Sequence, residues 1–229
     1  MRYRLLLTVL IGIFTMAGIR AQIYQVTDLE FKRFQNDFRL AKSFKDKSGP
    51  EYEGSPYLFD EFNPASIVLR AGEGYEAIPM NYNVFNDDFE FMMEDVSYSL
   101  GNNDIVKYIE IDGRKFFYRS YTYNSANIKG YLELVADGKY RFFKKHRIIY
   151  TEPQSTTGYK EAQPASFRPR SPDYFIALES GKIMYFNKLK DIPDMIPERS
   201  KEIKAYIKDN RLKARREEDI VQLASFLDI

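Results

Sequence analysis

The chain has 229 residues, with 34 Lys plus Arg against 33 Asp plus Glu, one His and no Cys. Its 44% apolar content, including 18 Tyr and 18 Phe, supplies a large core and excludes a disordered chain. The missing cysteines exclude disulfides, thiolate metal sites and a lipid-modified cysteine anchor, and the near balance of charge argues against nucleic acid as a partner.

The first residues, MRYRLLLTVLIGIFTMAGIRAQ, carry Arg2 and Arg4, an apolar run from Leu5 to about Gly18, and Ala21-Gln22 as a cleavage point. The run is roughly 14 residues long where a spanning helix needs about 20. Residues 1–21 therefore read as a secretory signal peptide, and residues 22–229 as one exported, β-rich domain with no transmembrane segment. Loss of Arg2, Arg4 and Arg20 leaves 31 basic against 33 acidic residues, a formal charge of −2.

Val26 to about Phe44 places Leu29, Phe31, Phe34, Phe38 and Leu40 at spacings of mostly three and four, which predicts an amphipathic N-terminal helix. KDKSGPEYEGSP breaks it. From Ser66 the apolar period becomes two, and AGEGYE (Gly72, Gly74) reads as a hairpin turn, without the third glycine, following helix or lysine of a phosphate-binding loop.

A two-residue turn at Asn86-Asp87 pairs Val84 with Phe89, Tyr82 with Phe91 and Met80 with Met93, so every apolar side chain meets another. Three side chains without EF-hand spacing make a turn, not a calcium loop. Asp112-Gly113 sets Glu110 against Lys115 and Ile109 against Phe116; Ser180-Gly181 sets Leu178 against Ile183 and Ile176 against Tyr185. Asp137-Gly138 and the weaker Asn124-Ser125 add two more turns.

These signals predict a mainly β fold: a twisted antiparallel meander of about nine strands over Ser66–Asn187, forming an open barrel or a two-layer sheet. Residues 151–172, with four prolines, read as a long exposed loop. Residues 190–229 turn helical: Pro197 opens a helix bearing Ile203, Tyr206 and Ile207 that ends at Asn210. Glu217, Glu218 and Asp219 open a second, with Ile220, Leu223, Ala224 and Leu227 as its apolar stripe.

The chemistry is sparse. The one histidine, His146, stands in RFFKKHR and reads as a strand-surface residue; no serine lies in a nucleophile-elbow setting, which excludes a triad hydrolase. No metal site and no cofactor are expected. Asp60-Glu61, Asp87-Asp88 and Glu94-Asp95 are the acid pairs on which a carboxylate-based hydrolase would have to rest.

Arg141, Lys144, Lys145 and Arg147, joined by Arg168 and Arg170, are the candidates for meeting an anionic surface or a protein partner of the envelope. Tyr82, Phe89, Phe91, Phe116 and Tyr118 are the candidates for lining a cavity for a lipid or other apolar ligand. Arg211, Lys213, Arg215 and Arg216 precede three acids, and local pairing is the expected use of that cluster.

GSPYLFDEF, GYEAIPMNYNVFNDDFEF and IKAYIKDNRLKARREEDIVQLASFLD together resemble an uncharacterised family of exported proteins frequent in Bacteroidetes-type diderm bacteria. The resemblance runs from about Gly54 to Asp228 and implies export to the periplasm or outer membrane, with no catalytic or binding residues to carry over. The sequence expectation is a non-enzymatic binding or structural protein of the cell envelope. A carrier of an apolar ligand is the alternative and a carboxylate-based hydrolase the third reading.

Overall fold

The computed structural model describes residues 28–38, 41–42, 52–93, 96–155 and 162–229. The signal-peptide stretch and the Glu94-Asp95 pair lie outside them. In chain order the elements are α1 (Asp28–Phe38), β1 (Ala41–Lys42), β2 (Tyr52–Glu53), β3 (Asn63–Leu69), β4 (Gly74–Asn83), β5 (Asp88–Met93) and β6 (Val96–Ser99). There follow β7 (Val106–Ile111), β8 (Arg114–Tyr123), β9 (Ala126–Ala136), β10 (Arg141–Thr151), β11 (Ala165–Ala177), β12 (Ile183–Phe186), α2 (Ile192–Met195), α3 (Ser200–Asp209) and α4 (Glu217–Leu227).

The mainly β expectation holds, but the sheet is mixed. β12 pairs in parallel with β8, and β2 in parallel with β11, whereas the other pairings are antiparallel. The path β1-β6-β5-β4-β3-β7-β8-β12-β11-β10-β9 returns on itself because β9 also pairs with β8. The last five strands thus form a closed circuit of pairings; β1 and β3 to β7 form an open sheet leading into it, and β2 lies apart against β11.

Three apolar clusters follow from this layout. Inside the circuit each strand supplies one buried residue: Tyr121, Leu132, Phe143, Phe175 and Ile183. α1, through Phe34 and Phe38, and the open sheet pack over Phe116 and Tyr131 of β8 and β9. The C-terminal helices cover Phe142, Ile176 and Phe186 with Ile203, Ile207, Ile220, Leu223 and Leu227. The apolar stripe expected of α4 is wholly buried, and Glu217, Glu218 and Asp219 occupy its first turn, where they favour the helix dipole.

Several expectations need correction. The first helix stops at Phe38, and Ala41–Lys42 pairs with β6. Residues 151–172 are not one loop, because Ala165 onward belongs to β11, paired with β10 from Ser166 opposite Thr151. The prolines misled: Pro169 sits opposite Ile148, where an edge strand needs no N–H from it.

The β4–β5 register is Tyr82↔Phe89 and Met80↔Phe91, so the turn is four residues long, Val84–Asp87, two more than the pattern suggests. The slip is even, which keeps the same face inward. At Ser180-Gly181 the slip is one residue, giving Ile176↔Met184 and Phe175↔Tyr185. There Leu178 N–H donates to Lys182 O (2.9 Å) and Gly181 takes φ 82°, a three-residue loop in which glycine supplies the left-handed position.

Candidate functional site

β9 and β10 pair only at Ala136↔Phe142, Leu134↔Phe143 and Glu133↔Lys144, and beyond Lys144 β10 bulges against β11 between Lys145 and Arg147. This leaves the backbone of Tyr131 without a strand partner on that side. Asp87, at the tip of the β4–β5 hairpin with φ 56°, enters the gap and accepts the Tyr131 N–H at 3.2 Å. Lys145 donates to Tyr131 O (3.0 Å) and to the Tyr82 hydroxyl (3.2 Å) and forms an ion pair with Asp87. Tyr82 in turn donates to Asp87 (2.7 Å). Gly130 makes room, since a Cβ there would collide with the Asp87 carboxylate.

This geometry redefines the expected cationic surface. Lys145 is 4% exposed, its ammonium pKa lowered by burial against the opposing pull of Asp87. Lys144 bridges Glu133 (3.1 Å) and Glu217 (2.9 Å). His146, expected on a strand surface, is instead only partly exposed and contacts Glu133, as the bulge residue. Burial pushes the Glu133 carboxyl up, but His146 and Lys144 outweigh it and hold the pKa below the usual range. Arg147 donates to Asp173 (2.7 Å) and lies over the Tyr123 ring, and Arg141 pairs with Asp137 (2.8 Å). Lys144, Lys145 and Arg147 are therefore joined to the fold's own acids, a correction to their reading as a partner surface. Arg168 and Arg170 are exposed.

The aromatic candidates pack on one another. Tyr82 and Phe89 stack at 5.0 Å, Phe116 meets both at 5.5 and 5.2 Å, Phe91 meets Phe34 at 5.0 Å, and Tyr118 meets Tyr131 at 5.0 Å. Tyr82, Phe89, Phe91 and Phe116 are at most 1% exposed, so their faces are used by the core.

The acid pairs are also separated in role. Asp60 and Glu61 are exposed on a shallow surface beside Leu58 and Asn63. Asp87 belongs to the Lys145 pair, while burial pushes the carboxyl of its neighbour Asp88 up to about 7, and Asp88 Oδ1 has no hydrogen-bond partner among the described residues. Glu90 accepts hydrogen bonds from Tyr57 (2.7 Å), Asn83 (2.8 Å) and Ser97 (2.7 Å), which ties the 55–62 segment to the β4–β5 hairpin. Among the described residues no group of three His, Cys, Asp or Glu is placed to hold a metal, and no helix is long and apolar enough to cross a membrane.

The feature that the sequence reading missed lies where the circuit meets the C-terminal helices. Three concavities of about 540, 470 and 580 Å³ follow one another. The first and second share Asn187, Ala214 and Arg215, and the second and third share Lys190, Leu212 and Lys213, so they form one groove. Its walls carry eight cations: Arg170, Lys188, Lys190, Lys204, Lys208, Arg211, Lys213 and Arg215. The single acid among its lining residues, Asp173, is already held by Arg147. Phe186, Pro193, Ile207 and Leu212 supply apolar floor.

Local structure explains how the cations come to face the groove. Lys204 and Lys208, four apart, share one side of α3 and flank the buried Ile203 and Ile207, and Arg211 follows just past the helix end. α3 ends in a Schellman motif, with Leu212 N–H donating to Ile207 O (3.0 Å) and Arg211 N–H to Lys208 O (3.2 Å). The left-handed residue of that motif is Arg211, φ 54°, where glycine is the usual choice. Asp219, 5% exposed, then gathers Lys213 N–H (2.7 Å) and the Arg216 guanidinium (2.8 Å). Only Arg216 pairs locally as expected; Arg211, Lys213 and Arg215 have no acidic partner among the described residues and line the groove.

No protein-family model, no curated protein and no solved structure matches this chain.

Proposed function

We propose that the protein is a non-enzymatic binding component of the bacterial cell envelope, and that it holds an anionic group of its partner in the cationic groove between β11, β12 and the C-terminal helices. The observation that carries the reading is charge segregation. A chain of almost balanced composition gathers eight cations along one concavity, and only Lys204 among them has an acidic partner (Asp194, 3.5 Å) among the described residues. Like charges so placed repel one another within a Debye length of about 8 Å, a cost that a bound anion removes.

Arg211 supports the same reading. A non-glycine side chain in the left-handed region costs about 1 kcal/mol, and strain of this kind gathers where a side chain has a use beyond stability. The apolar leader and the family resemblance support the envelope as the place. The engagement of Asp87, Glu90, Glu133 and His146 in contacts within the fold supports binding over catalysis.

The test is titration of the full mature chain with inorganic phosphate, pyrophosphate and polyphosphate, and with phosphatidylglycerol vesicles against phosphatidylcholine vesicles. Expected is salt-sensitive binding to one or more of the anionic probes that falls at least about tenfold in Lys190→Gln/Lys213→Gln/Arg215→Gln and is unchanged in Arg141→Gln. Equal affinity of the triple variant, or no preference for anionic over neutral probes, would overturn the reading.

A further inference from the structure

β10 has a second unusual feature, which shares only Arg170 with the groove. Beyond Lys144 no described strand pairs with it on the β9 side, yet the strand runs on to Thr151 alongside β11. Pro169 stands opposite Ile148 and has no N–H, so Ile148↔Pro169 is a pair without mutual hydrogen bonds. By alternation Tyr150↔Phe167 is another. The N–H and C=O groups of Ile148 and Tyr150 therefore point away from β11, toward the side where no described strand pairs.

Exposed edges of this kind are usually blunted by proline, charge or a cover. β11 follows that rule with Pro169 and Pro172, but the Ile148-Ile149-Tyr150-Thr151 run of β10 carries no proline and no charge. Instead Ile149 is 49% exposed and Tyr150 37%. The two faces of the ribbon differ. Tyr150 packs with Phe167 (4.9 Å) and with Phe85 (5.7 Å), itself 50% exposed, which makes one face aromatic. Ile149 lies opposite Arg168, and Arg170 stands two residues further along β11 on the same face, which makes the other cationic. Neither Arg168 nor Arg170 has an ion-pair partner among the described residues.

We infer that the β10 edge at Ile148–Thr151 is a strand-addition site for an extended segment of a partner protein in which acidic and apolar residues alternate. The backbone of such a segment would take the outward N–H and C=O groups of Ile148 and Tyr150. Its apolar side chains would then fall on the Tyr150 and Phe85 face, and its acidic ones on the Ile149 face. From there a glutamate and Arg168 together span the two strand spacings, about 10 Å, that separate their backbones.

The probe is an eight-residue capped peptide alternating glutamate and valine, with lysine-valine and block-ordered glutamate-valine peptides as comparisons. It is titrated into the full mature chain and followed by amide hydrogen exchange. Expected is protection at Ile148 and Tyr150 with the alternating acidic peptide alone. Tyr150→Ala and Tyr150→Pro both remove the ring, but only the proline removes the outward donor, so binding falls at least about tenfold further in Tyr150→Pro. Arg168→Glu/Arg170→Glu, two surface changes, transfers the preference to the lysine peptide and decides the matter should the proline variant fail to fold. Indifference to peptide charge or order, absence of protection, or a peptide-free dimer joined through this edge would each overturn the proposal.

Discussion

Asp87 and Lys145, from hairpins far apart in the chain, together supply the acceptor and the donor that one residue, Tyr131, lacks where β9 and β10 separate. The pair closes a seam in the sheet. Its energetic signature differs from that of a surface bridge, because Lys145 left alone would be a charge with little water around it.

Lys145→Met is expected to destabilise the fold by about 3–5 kcal/mol, since it leaves Asp87 without its cation and Tyr131 O without a donor. Asp87→Asn should cost less, because an amide still fits beside Tyr82. Urea denaturation of both single variants and the double variant measures the coupling. Additive losses would show that the two side chains act separately.

Gly130→Ala places a methyl group against the Asp87 carboxylate and 3.2 Å from Lys145 Nζ. A loss of about 1–3 kcal/mol is expected. The same change in an Asp87→Ala background should cost almost nothing, and thermal unfolding of the two pairs compares them directly.

Asp88 gives the protein a pH dependence opposite in sign to that of a salt-bridged carboxylate. Its folded pKa of about 7 lies above the ordinary 3.8, so the folded state holds the proton more tightly than the unfolded one. Its contribution is most favourable below pH 4, is lost as pH rises through 7, and is constant above. Asp88→Asn should raise the stability by on the order of 1–4 kcal/mol at pH 8, and the gain should shrink steadily from pH 7 to pH 4. Unfolding midpoints of both proteins across pH 4–8 check it; a gain independent of pH would point to packing.

Arg211→Gly should separate stability from binding. Relief of the left-handed arginine is worth about 1 kcal/mol, so the melting temperature rises while affinity for the anionic probes falls. A variant that melts higher and binds unchanged would remove Arg211 from the groove's function.

How far the sequence speaks depends on what sets each feature. The Asp112-Gly113 and Asn124-Ser125 turns are right in register, Ile109↔Phe116 and Tyr123↔Ala126, because all four residues adopt positive φ in two-residue turns that local chemistry dictates. Asn86-Asp87 misleads because the tip of that hairpin answers to Lys145 and Gly130, which no local pattern contains. Arg211, Lys213 and Arg215 misled for a related reason. The acids that follow them serve the first turn of α4, and only Asp219 turns back to the cluster. One signal was available, the four-residue spacing of Lys204 and Lys208 along one side of α3. The other walls of the groove come from β11, from residues 187–190 and from the 212–215 turn, which only the fold brings together.

The parallel contact between β12 and β8 is a single residue pair, Met184↔Thr122, whereas β8 and β9 match along eight pairs and β10 and β11 along ten. The circuit is a bracelet whose clasp is its shortest join, below the three pairs of β9–β10 and the four of β11–β12. Opening there exposes Tyr121, Phe175 and Ile183 without unravelling either long hairpin, so it is the least costly partial unfolding that reaches the inner cluster. Because β12 supplies Tyr185 and Phe186 to the groove wall and leads into the C-terminal helices, any opening of the clasp frees one wall of the groove from β8.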